Sequence, residues 1–168
     1  MSSTRIFPPV ILAKVAEQVE RAHHLLNLVP PDKTEWRPTP GAMRVCDLLG
    51  HLLECLAGFC ATLYVIDKDR LAHFARLRNL EVNHCCGITE AHLRMGDYMG
   101  CIEEGFALLT DEALALNVPT VFAAEGETVL RLLLTNLEHF INHKYQLFFY
   151  LKMMGVSAGT SDLYSLRG

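Results

Sequence analysis

Two histidines near the C-terminus, His139 and His143, lie in the stretch LEHFINHKYQLFFYLKMMG. Their i, i+4 spacing places both imidazoles on one face of an α-helix, one turn apart, where they can hold the same cation. Gln146 continues that stripe. A third histidine, His51 in DLLGHLLEC, falls on a separate predicted helix far upstream. Two ligands from one helix and one from a partner helix are enough for a three-histidine metal site inside a bundle. Three neutral imidazoles around a divalent ion leave a coordination position open, as catalytic sites do; structural zinc is usually closed by four protein ligands. The open position can take water, with its pKa lowered to about 7 in favourable zinc sites, or a substrate thiol. Zinc and nickel both suit imidazole.

Other residues share the spacing. Glu54 stands at i+3 from His51, where it can orient an imidazole or act as a base; the plainer reading is a carboxylate at the rim. Cys55, at i+4, reads either as a site thiol or as core filling. Gln146 can orient substrate, and Tyr150, four residues on, reads as a phenol at the pocket edge or as packing. Glu54 and Gln146 are the candidate catalytic residues. His23 and His24 point about 100° apart on a helix, so they read as surface residues. His73, His84 and His92 have no partner at ligand spacing.

These residues need elements to carry them, and the helical period dominates the chain while strand alternation is nearly absent. A first helix is predicted from about Pro9 to Leu28, with Val10, Leu12, Val15, Val19 and Leu25–Leu26 facing the core and the Val29-Pro30-Pro31 run ending it. A proline-rich loop holding Trp36, a plausible plug over the bundle, leads to a second helix from about Arg44 to Ile66. A charged connection follows, with a short helix expected near Leu71 to Leu80. The third helix is predicted to start at Thr89 as N-cap, with Ile88 as a staple, and to run to about Leu109. Ala113 to Gly126 reads as loop. The fourth and longest helix runs from about Glu127 to Met154 and stops at Gly155; its stripe of Leu133, Leu137, Phe140, Leu147 and Leu151 is core. The tail carries Leu163, Tyr164 and Leu166, which suit docking back onto the body. Four long helices make an all-α four-helix bundle the natural packing, and the long connection between the second and third allows a crossover.

A chain of 168 residues fits one domain over 1–168. The net charge of −4 argues against nucleic acid, which needs a basic face. The N-terminus lacks the features of a secretory signal, and no apolar run approaches a membrane span, so a soluble cytoplasmic protein without membrane contact is expected. The six cysteines, Cys46, Cys55, Cys60, Cys85, Cys86 and Cys101, form no CxxC pair, and most read as small buried hydrophobes in a reducing cytosol.

Two segments carry a resemblance. WRPTPGAMRVCDLLGHLLE is similar to the start of the second helix of the DinB/YfiT-like superfamily, and NLEHFINHKYQLFFYLKMMG resembles its last long helix; the TSDLY tail is similar to one branch. His51 matches the first family ligand, His139 and His143 the second and third, and Gln146 the family glutamine. The resemblance implies a four-helix bundle with an unusual crossover, a divalent metal held by three histidines, and a homodimer. It also implies a small-molecule substrate, since relatives include metal-dependent thiol transferases and a mycothiol-dependent isomerase. The expected function is therefore a metal-dependent enzyme, most simply an S-transferase acting on a low-molecular-weight thiol. The alternatives are a metal-dependent hydrolase and a non-catalytic, metal-binding dimeric bundle. In one departure, Met43-Arg44 stands where relatives often place a serine-type cap.

Overall fold

The structure is a computed structural model that describes residues 4–120 and 125–164. Its four long helices are α1 (Phe7–Asn27), α2 (Val45–Tyr64), α3 (Ile88–Leu108) and, after the four-residue helix α4 (Asp111–Leu114), α5 (Val129–Met153); a last turn, α6, spans Thr160–Leu163. The sequence boundaries hold to within two residues, apart from the ends of the mixed segments. Leu71 to Leu80 forms a helix of the tighter 3₁₀ type over Ala72–Asn79. The stretch expected as plain loop, Ala113 to Gly126, contains the end of α4 and β1 (Asn117–Val118), which pairs with β2 (Glu127–Thr128) at the predicted start of the fourth helix.

The caps explain where the helices start. Arg44 is the N-cap of α2 in place of a serine. Asp47, three residues in, accepts the Arg44 backbone N–H at 3.3 Å and its guanidinium at 2.7 Å, so the carboxylate satisfies the orphan donor that a serine cap leaves to the N3 position. The start of α3 differs from expectation: Gly87 is its N-cap without a side-chain bond, and Ile88 and Thr89 already lie in the first turn. Thr128 caps α5 by accepting from the Arg131 N–H at 3.3 Å. Gly155, at φ +82°, ends α5. Its N–H bonds Lys152 O and the next N–H bonds Leu151 O, the double bond of a left-handed glycine stop.

Side-chain pairings fix the topology. Gly58 and Thr62 of α2 meet Asn136 of α5, while His51 meets His139 and His143, so α2 and α5 are antiparallel. Cys60 meets Tyr98, and Leu63 meets Gly105, so α2 and α3 are parallel. Arg5, at the entry to α1, donates to Phe106 O and Leu109 O at the end of α3, and His23 meets His92, so α1 opposes α3. The order is up-down-down-up, and the 65–87 connection makes the crossover. Around the bundle α1 touches α3 and α5, and α2 touches the same two.

The core is built from the predicted stripes. Leu133, Phe140, Leu147 and Leu151 are buried on α5, with Leu137 packed at the edge. On α1, Val15, Val19, Leu25 and Leu26 are buried, but Val10 is 67% exposed and belongs to the outer face. Helix α2 has the length and apolarity of a membrane span, contrary to the sequence reading; 67% of that window is buried inside the bundle, and core packing accounts for its composition. The tail docks as expected through Leu163, which is buried. Lys144 of α5, only 3% exposed, donates to Leu163 O at 3.2 Å and to Gln18 Oε1 at 2.7 Å, and Asp162 meets His24 Nε2 at 2.6 Å. Tyr164 is half exposed, and Leu166 lies outside the described residues.

Four cysteines, Cys55, Cys60, Cys86 and Cys101, are free and buried as read from the sequence. Cys46 and Cys85 are paired in a disulfide, which the sequence reading did not anticipate.

His23, read from the sequence as a surface residue, is partly buried. His23 and His92 stack between α1 and α3 with Nδ1 atoms 2.7 Å apart. Burial first, then the charge of His92, hold the His23 pKa below its ordinary 6.5. The folded protein therefore takes up this proton less readily than the unfolded chain. The stability is intact above the unfolded value and is lost as pH falls below it toward the folded one. Metal-free protein should show a melting temperature that falls between about pH 7 and pH 5, and His23→Leu should make that fall shallower. An unchanged slope in the variant would remove His23 as its source.

Candidate metal centre

His51 stands on the second turn of α2, and His139 and His143 on successive turns of α5. Antiparallel packing brings all three imidazoles to one point, with His51 Nε2 3.2 Å from His139 Nε2 and 3.0 Å from His143 Nε2. Their donor atoms all lie within 4.8 Å of one another, and the three side chains are partly buried. A tetrahedral ion with bonds of about 2.05 Å to nitrogen sets its ligands roughly 3.3 Å apart, close to what is seen here.

The outward nitrogens explain why the inward ones face each other. Asn83 Oδ1 lies 2.6 Å from His51 Nδ1, and Glu54 Oε2 lies 2.9 Å from the same atom. Both are acceptors, so Nδ1 carries the proton and Nε2 presents a lone pair. On the other side, His143 Nδ1 is 2.9 Å from Gln146 Oε1, and the Gln146 amide donates its Nε2 hydrogen to Tyr150 Oη at 2.9 Å. This pattern assigns the same tautomer to His143. Two lone pairs 3.0 Å apart repel unless an electrophile lies between them. The donor set therefore fits a divalent cation.

Electrostatics point the same way. Burial holds the pKa of both His139 and His143 below 6.5, with the neighbouring imidazoles adding to it. Both rings thus stay neutral, as metal ligation requires.

Each sequence-predicted residue can now be placed. Glu54 and Gln146 both touch a histidine of the cluster. Tyr150 is buried and holds Gln146, and its ring meets Trp36 edge-on at 5.5 Å, so the Trp36 plug and the phenol form one wall. Cys55 is buried among core residues, with its thiol pushed up to about 12 by that burial; it is core filling. Asn83 was missed, because nothing in its local sequence links it to a histidine 32 residues away. His84, Cys86 and Glu90 form a second donor cluster, but Arg94 already pairs with Glu90 at 3.0 Å and supplies the positive charge there. An apolar groove of about 370 Å³ lies between α2 and the 72–82 segment, lined in part by Ala57, Tyr64, Phe74 and Leu80; none of the three histidines borders it.

The architecture has a counterpart among solved structures. A DinB-like protein, YjoA, from Bacillus subtilis superposes with a TM-score of 0.71 over 92% of this chain and 99% of that one, at 19% identity. The fold is DinB-like. No protein-family model and no curated protein matches the chain, so at this identity the likeness rests on backbone geometry. Within the DinB-like bundle, the histidine cluster is positioned by the pairing of α2 with α5.

Proposed function

We propose that this protein is a metal-dependent enzyme in which His51, His139 and His143 hold one divalent cation, zinc or nickel, and that it acts as an S-transferase on a low-molecular-weight thiol. The observation that carries the reading is the pair of facing Nε2 lone pairs, each set by a hydrogen bond on the far side of its ring. A cation bound there supplies Lewis-acid chemistry at an open position, favouring the ionised form of a thiol or water.

The chain's own residues do the rest. Asn83 and Glu54 keep the proton of His51 on Nδ1. Gln146 does the same for His143 and is itself held by Tyr150. Glu54 has 40% of its side chain exposed, so the same carboxylate is within reach of solvent and can take the proton of an arriving thiol. Trp36 and Tyr150 form an apolar wall that restricts water on one side.

A second reading has its own support. Leu130, Leu134, Tyr145, Phe149 and Met153 are exposed along α5. Such a stripe suits self-association, as in a homodimer that binds metal without turnover. The test is to supply zinc- or nickel-loaded protein with small thiols and electrophilic acceptors, and in parallel with esters and amides. Thiol consumption that His143→Ala abolishes is the expected result. Ester cleavage alone would replace the transferase by a hydrolase, and turnover on neither panel would favour the non-catalytic dimer.

A further inference from the structure

One of the two acceptors that set the His51 tautomer, Asn83, comes from the 81–87 segment, which is fastened to α2 along its length. Asn83 adopts φ +57°, a left-handed conformation that asparagine tolerates. Its N–H bonds Gly50 O at 3.2 Å, and its Oδ1 reaches His51 Nδ1. The His84 backbone lies so close to Gly50 that no side chain fits there, and the Cys86 N–H bonds Cys46 O at 3.0 Å. Between these contacts sits the Cys46–Cys85 disulfide, with Cα atoms 4.5 Å apart. It ties the first turn of α2 to a residue two positions from Asn83.

The two sulfurs are not equally placed. Cys46 is buried and Cys85 is exposed, so a reductant meets Cys85. Glu35 Oε1 lies 3.5 Å from Cys46 Sγ and 3.4 Å from Cys85 Sγ, placed to accept an S–H from either cysteine once the bond is open.

We infer that the Cys46–Cys85 disulfide is a redox clamp on the histidine site: closed, it holds Asn83 against His51, and opened by a dithiol reductant, it releases the segment and weakens cation binding. The inference rests on the three histidines holding a cation. In the opening reaction a reductant thiolate attacks Cys85 Sγ, forming a mixed disulfide and expelling the Cys46 thiolate, which takes a proton. The second thiolate of the reductant then displaces Cys85, which is protonated in turn, and the reductant leaves as its own disulfide. Two electrons and two protons pass to the protein.

The clamp acts through a hydrogen-bonding partner of a ligand, and loss of such partners lowers metal affinity about 10–100-fold. The experiment measures the zinc Kd of the full chain by competition with a chromophoric chelator. The protein is compared oxidised and after reduction with a phosphine, with circular dichroism on each sample and thiol alkylation to count free cysteines. Reduction should raise the Kd about tenfold or more with the helicity kept, Cys85→Ser should match the reduced protein in both conditions, and Asn83→Ala should bind weakly with no response to reduction. Equal Kd values in the two states overturn the clamp and leave the histidine site standing. Failure to bind zinc in either state removes the histidine site and the clamp with it. A second zinc per chain on reduction makes Cys46 and Cys85 ligands rather than a clamp, and Cys46 and Cys85 that stay alkylatable after oxidation exclude it.

Discussion

His51→Ala should strip the divalent cation from the protein while leaving the helices in place. The three histidines are the donor set, and His51 is the only one supplied by α2, so its loss leaves two ligands from a single helix. Metal binding at structural zinc sites amounts to about 10–16 kcal/mol. A third of the lower figure is roughly 3 kcal/mol, or more than about a hundredfold in Kd. The fold should survive because His51 lies at the margin of the core, with its side chain 15% exposed, and alanine is a good helix former at that position. Metal content after dialysis, read alongside far-ultraviolet circular dichroism, checks both halves of the expectation. Full occupancy in the variant would take His51 out of the site. Loss of helicity with the metal would make the ion structural.

Gly50→Ala should be among the most damaging single-methyl changes in the chain. A Cβ built at Gly50 falls on the carbonyl oxygen of His84 and 2.8 Å from its nitrogen. Backbone cannot swing aside as a side-chain tip can, so either α2 or the 81–87 segment must move. Overpacking costs about 1–3 kcal/mol, and this site belongs at the upper end, a melting temperature lower by about 6–12 °C for a chain of this length. The displaced segment carries Asn83, so cation affinity should fall as well. Gly58→Ala is the control: its new methyl meets the tip of the Asn136 side chain, which can yield, and the loss should be smaller. Calorimetric melts of the two variants decide the comparison, and a Gly50→Ala protein that melts with the wild type would show that the segment does not press on α2.

Much of the site follows from spacing alone. The i, i+4 interval of His139 and His143 makes them neighbours in any α-helix, and the i+3 interval puts Glu54 beside His51 whatever α2 packs against. The same logic places Gln146 against His143 and Tyr150 against Gln146, each three or four residues on. The helices themselves are legible because their apolar stripes run long enough to show a period, and Gly155 and the Val29-Pro30-Pro31 run mark two of the stops.

The rest depends on distance along the chain. That α2 and α5 run antiparallel, so that His51 lands on the other two rings and not on the Asn136 end of α5, is a property of the whole bundle and of the crossover that reverses its simple order. Asn83 and Cys85, the partner of Cys46 in α2, come from a segment with no period to read, brought to α2 by close backbone approach at Gly50. The His23–His92 stack and the buried Lys144 join polar residues of different elements, pairings that no local spacing displays. Sequence determined which residues could share a helix face, because helical geometry is local; only the tertiary structure decided which faces meet, because that is settled by the packing of every helix at once.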